Sequence, residues 1–114
     1  MLLDNMLIRY DGFHPSTVVQ TDIESAVKEI LIEAPVGASA EATFTRKNDI
    51  VKGFVHVHSS AGPFFAIATA SEVHDVCRKL LGGMRRRLNK WKTKRFSHQT
   101  IHDIDPIFQH TSHV

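Results

Sequence analysis

Cysteine is nearly absent: Cys77 is the single one in the chain. A lone thiol excludes an internal disulfide framework and any zinc site built on several cysteines, and it fits a reducing compartment. Long hydrophobic runs are missing too, since nowhere do eighteen apolar residues follow one another, so no segment reads as a membrane-spanning helix. The opening Met1-Leu2-Leu3 is interrupted by Asp4 and Asn5, which leaves no core for a signal peptide. Internal repeats are lacking as well. These absences lead to the expectation of a soluble, cytoplasmic protein. At 114 residues and 42% hydrophobic it has enough for one modest core and too little for two ordinary domains.

The most informative absence is local. Residues 76–95 hold nine basic side chains and no acidic one, whereas residues 1–75 hold five basic and ten acidic, and residues 96–114 hold two acidic. The overall net charge of +2 conceals this segregation. Like charges packed together repel one another unless a polyanion neutralises them, so the block points to a partner rather than to a fold.

Hydrophobic periodicity supplies the elements. Met6, Ile8 and Tyr10 alternate with Leu7, Arg9 and Asp11, which predicts a strand over 5–12. Thr21-Asp22-Ile23-Glu24 matches a capping box and predicts a helix from Asp22 to about Glu33, with Ile23, Val27, Ile30, Leu31 and Ala34 on one stripe. Strands follow at Ala40–Arg46 and, after the turn Lys47-Asn48-Asp49, at Val51–Val57, paired as a hairpin. The short apolar run Phe64–Thr69 reads as a fourth strand, central or well covered. From Ser71 the period becomes helical: Val73, Cys77, Leu80, Leu81, Met84, Leu88 and Trp91 share one arc of a helix from Glu72 to about Arg95. The order β-α-β-β-β-α predicts an α+β fold, a two-layer sandwich with both helices on one face of a four-stranded sheet. Residues 1–96 form the expected domain, and residues 97–114, polar, rich in histidine and broken by Pro106, a mobile tail.

On the last helix, Lys79, Arg86 and Lys90 project almost opposite the apolar stripe. Arg78, Arg85 and Lys92 lie along one flank, Arg87 and Lys94 along the other, and Arg95 closes the block. An array of cations without acidic partners is what a run of phosphates requires, because each neutralised phosphate releases counterions. These nine residues are the candidate RNA contacts, and five or six of them meeting phosphates would make binding steeply salt-dependent. A membrane is a poorer partner, since the apolar stripe is needed by the sheet. Gly82 and Gly83 interrupt the helix at a cost of about 1 kcal/mol each; projection places both on the exposed side, where they would either let an RNA backbone approach or form a tolerated kink.

Other chemistry is thin. His56 and His58 share a strand face and His98 and His102 would share a helical one, but neither pair has a third ligand nearby, so exposed histidines and no metal are expected. Cys77 lies on the buried stripe as a small hydrophobe. No catalytic constellation, cofactor or small-molecule substrate is indicated, and a thiol or metal-dependent enzyme built on His56, His58 and Cys77 is the least favoured reading.

Three stretches, Gly53-Phe-Val-His-Val-His, Phe65-Ala-Ile-Ala-Thr-Ala-Ser-Glu-Val-His-Asp-Val-Cys and Arg86-Arg-Leu-Asn-Lys-Trp-Lys-Thr-Lys, resemble the ribosome hibernation-promoting factors, the ribosome-associated inhibitor family. Glu72 opening a helix and Lys90, Lys92 and Lys94 closing it in a Lys-x-Lys-x-Lys pattern carry much of that resemblance, which covers roughly residues 5–96. It implies a non-enzymatic factor that binds 16S-type rRNA of the small ribosomal subunit, silences translation under stress, and contacts rRNA first through Arg86, Lys90, Lys92 and Lys94. His74 in place of an aromatic residue, the Gly82-Gly83 pair and an acidic first helix depart from the family pattern. The sequence resembles a short form, without the C-terminal dimerisation domain of the long forms. A general binder of structured RNA is the alternative that the residues alone leave open.

Overall fold

A computed structural model of the chain describes the backbone of residues 5–103 and side chains as far as residue 94. The strand β1 (Met6–Asp11) ends at Gly12, whose φ of +83° and close approach to Arg46 require glycine: a Cβ there would lie 2.6 Å from the Arg46 carbonyl oxygen. The helix α1 (Thr17–Glu33) begins a turn earlier than the capping box predicts. Ser16 is the cap, its hydroxyl accepting the Val19 N–H at 3.3 Å, and Thr21 sits inside the helix with its hydroxyl donating to the Thr17 carbonyl at 2.9 Å. Of two cap-like residues the earlier prevails because each added residue propagates the backbone ladder once a nucleus exists.

The hairpin β2 (Ser39–Lys47) and β3 (Ile50–His58) turns at Asn48, whose φ of 58° suits a residue tolerant of the left-handed region. β4 (Phe64–Ala70) and α2 (Val73–Asp103) complete the chain, so the helix continues past Arg95, where the sequence reading ends it. The sheet order is β1-β2-β3-β4, with β1 parallel to β2 and the other pairs antiparallel. The two-layer α+β sandwich read from the sequence is the observed one, with α2 over β3 and β4 and α1 packed against α2 toward β1 and β2.

β4 is an edge strand covered on one face, where its apolar composition suggests a central or well-covered one. Its inward side chains are Phe64, Ala66, Ala68 and Ala70, small enough for α2 to lie close, while Phe65 and Ile67 face outward and stay exposed. The apolar run arises from two different faces, only one of them covered.

Between the layers, Phe44, Val51, Val55 and Val57 meet Ile23, Val27 and Ile30 of α1 and Val76, Leu80, Met84 and Leu88 of α2, all essentially inaccessible. Val76 belongs to the stripe although the sequence reading omits it. Gly53 on β3 lets α2 approach: a Cβ there would lie 2.6 Å from Val76 Cγ1 and 2.9 Å from Leu80 Cδ1.

Candidate nucleic-acid interface

The cationic block lies on α2, whose inner arc is wide because two partners share it, the sheet on one flank and α1 on the other. That width corrects the placement of the glycines. Gly83 is buried and looks toward β4, a Cβ on it falling 3.9 Å from the Ala66 Cβ, while Gly82 is half-buried. Neither is required by packing, since no neighbour would come nearer than 3.7 Å to an added methyl. What does come near both is the Arg86 guanidinium, folded back along the helix.

Eight of the nine expected contacts have described side chains, and they divide into two groups. Arg85 is the hinge of the helix pair: its Nε donates to Glu33 Oε2 at 2.7 Å and its Nη2 to Glu29 Oε2 at 3.4 Å, which pushes its already high pKa further up, chiefly through the Glu33 hydrogen bond. Arg78 pairs with Asp75 at 2.8 Å, Lys79 donates to the Thr69 carbonyl of β4 at 3.0 Å, and Arg87 to the Gly83 carbonyl at 3.3 Å. Acidic partners that the basic block itself lacks are thus supplied to two of these cations, to Arg85 by α1 and to Arg78 by the first turn of α2. Sequence distance hides them, as Glu29 and Glu33 lie more than fifty residues from Arg85.

Arg86, Lys90, Lys92 and Lys94 form the second group, with no partner among the described residues. Arg86, Lys90 and Lys94 follow one another at four-residue spacing, which stacks neighbouring side chains along one side of the helix about 5–6 Å apart. Lys92 lies toward the end of α1, beside Trp91 and the exposed Ile32 and Val36. The side chains of Arg95, His98 and His102 and the whole of residues 104–114 lie outside the described residues.

The remaining candidates behave as structure. Cys77 is buried, and burial first and Asp22 second push its thiol up to about 11, far from a nucleophile's range. On the outer face of β3, His58 Nε2 meets Glu41 Oε2 at 3.1 Å, and Arg9 approaches the same carboxylate at 3.8 Å. His56 is less exposed than the sequence suggests: its Nε2 is buried without a hydrogen-bond partner. Among the described residues no His, Cys, Asp and Glu cluster could hold a metal ion, and no helix is long and apolar enough to cross a membrane.

Sequence reasoning also missed the exposed aromatic outer face of the sheet. Its signal is present: Phe54, Phe65 and Ile67 occupy the positions that the two-residue period assigns to solvent.

No model of a protein family matches the sequence, and no curated protein does. Solved structures do resemble the fold. A ribosomal subunit interface protein from Coxiella burnetii superimposes with a TM-score of 0.67 at 15% identity, over 77% of this chain and 97% of that one. The N-terminal domain of Protein Y from Thermus thermophilus gives a TM-score of 0.66 at 6% identity, over 76% of this chain and 98% of that one. At such identities the likeness is one of fold.

Proposed function

We propose that this chain is a non-enzymatic, ribosome-associated factor that binds rRNA of the small subunit through α2 and represses translation. The observation that carries the reading is the row Arg86, Lys90 and Lys94, with Lys92 on the flank toward α1: cations with no acid to neutralise them among the described residues, whereas the other described cations of α2, Arg78, Lys79, Arg85 and Arg87, each hold an internal partner. A rigid helix is a suitable frame for such a row, because it fixes the spacing at which phosphates must be met. In duplex RNA the major-groove edges of the bases lie in a deep, narrow groove that side chains cannot read, so contacts of this kind recognise shape and backbone. Two observations support a ribosomal partner over RNA in general, the likeness in fold to a ribosomal subunit interface protein and to Protein Y, and the Lys-x-Lys-x-Lys ending of the basic block. The factor acts by occupying RNA that messenger and transfer RNAs would otherwise use.

Sedimentation of a lysate through a sucrose gradient at low salt tests this, combined with addition of the purified protein to a cell-free translation system. The protein should travel with ribosomes or small subunits, and translation should slow as it is added. Recovery only at the top of the gradient would rule out the ribosome as partner, and equal affinity for unrelated duplex RNA would replace it with a general binder of structured RNA.

A further inference from the structure

We propose that the outer face of the sheet is a second RNA site, which takes a short single-stranded segment by stacking a base on Phe54 and holding its phosphate with Lys47 and Lys52. The proposal extends the reading of this chain as an RNA-binding protein, but it rests on a different face and on different residues.

The register sets the geometry. On β3 and β4, His56 lies beside Phe65, Phe54 beside Ile67 and Lys52 beside Thr69, all directed away from the helices. The rings form a continuous row. His58 and His56 have centroids 3.7 Å apart, His56 stacks on Phe65 at 4.4 Å and 19°, and Phe65 meets Phe54 at 5.9 Å and 32°. The row ends at Phe54, which forms a wall of an open cavity of about 690 Å³, a size typical of ligand sites. Ile67 continues that wall, Thr43 and Thr45 offer hydroxyls along β2, and Lys47 and Lys52 stand at the far side. An aromatic wall with hydroxyls beside it and two ammonium groups within one cavity matches three features that a nucleotide presents: the flat face of a base, its polar edges and a phosphate.

Charge selects the occupant. The cavity is lined by Lys47 and Lys52 and by no acid; the acids of this face stand on β2, where Glu41 is engaged by His58 and Arg9, and at the end of β1, where Asp11 lies beside Thr45. Packing this face against a second copy would be strongly unfavourable unless that copy set its own carboxylates against Lys47 and Lys52. A polyanion brings the counter-charges with it. Base stacking is also indifferent to sequence, which suits a face whose specific hydrogen-bonding groups are few.

The test uses the full chain and a single-stranded RNA decamer carrying 2-aminopurine, whose fluorescence falls when the base stacks. Wild-type protein should quench it. Phe54→Thr with Phe65→Thr, which keeps strand-forming residues, should weaken binding by at least about fivefold per base stacked and abolish quenching. Lys47→Gln with Lys52→Gln, which touches no buried side chain, should weaken binding and flatten its salt dependence, so the proposal stays testable if the phenylalanine variant misfolds. Arg86→Glu with Lys90→Glu should keep the quenching while losing duplex RNA. Retention of wild-type affinity and quenching by both sheet-face variants would overturn the proposal. So would displacement by equimolar uridine monophosphate, which indicates a free-nucleotide site, or self-association abolished by Phe54→Thr with Phe65→Thr in the absence of any quenching. If the charge-reversed helix binds duplex RNA normally, the proposed function of α2 fails while the sheet site stands.

Discussion

At Gly53 an added Cβ would press on Val76, Leu80 and Phe44 at 2.6, 2.9 and 3.0 Å, whereas at Gly82 and Gly83 no neighbour comes closer than 3.7 Å. The same substitution should therefore have opposite signs at the two places. Gly53→Ala should destabilise the fold by about 1–3 kcal/mol through overpacking, while Gly82→Ala with Gly83→Ala should stabilise it by roughly 1–2 kcal/mol by removing helix-interior glycines. Urea unfolding of both variants checks this, and RNA affinity should be unchanged in the second because Arg86 is not displaced. Cys77 provides a pH prediction. Its folded pKa, pushed up to about 11, lies above the unfolded value of about 8.5, so the neutral thiol favours the folded state fully below the unfolded value. That contribution is lost as pH rises through the folded one. Urea midpoints should fall between pH 8 and pH 11, and less so in Cys77→Ala, which keeps only the same-signed effect of Tyr10, whose pKa burial also raises.

Among the elements, the seam between α1 and α2 is where electrostatics and packing meet. Glu29 and Glu33 hold Arg85 to the first helix and keep it from an external phosphate. Replacing both by Gln should release it, so RNA binding should be equal or tighter and gain about one unit of salt slope; an unchanged slope with weaker binding would mean that the pair positions α2 instead. The ion pairs are exposed, so the effect on stability should be small. The element order and the α2 stripe were legible in the sequence because periodicity is local, and Ile23, Val27, Leu80, Met84 and Leu88 are buried as it implies. Three things were not. The start of α1 turned on a choice between Ser16 and Thr21, which local signals leave balanced. The edge position of β4 and the burial of Gly83 depend on which neighbours a strand or helix acquires, and the pairing of Arg85 on contacts across more than fifty residues. Of the candidate site, the block as a whole was legible; its division into satisfied and unsatisfied cations was not.

Over the whole molecule, the helix layer carries the basic row and the opposite side of the sheet an aromatic face, so two surfaces of different chemistry are separated by one core. Fewer free cations than the sequence suggests also means a gentler salt dependence. Four phosphates met by Arg86, Lys90, Lys92 and Lys94 give a loss on the order of a hundredfold between about 50 and 200 mM salt, rather than the roughly thousandfold loss that five or six contacts would produce. The most direct measurement is the affinity of purified small subunits for Arg86→Glu with Lys90→Glu as a function of salt, beside the wild type. Both side chains are exposed and unpartnered, so the variant should unfold within about 0.5 kcal/mol of the wild type. It should bind at least a hundredfold more weakly, with the salt slope reduced by about two units. A normally folded variant that binds small subunits with wild-type affinity and wild-type slope would contradict the central claim, that the unsatisfied cations of α2 meet the phosphates of RNA.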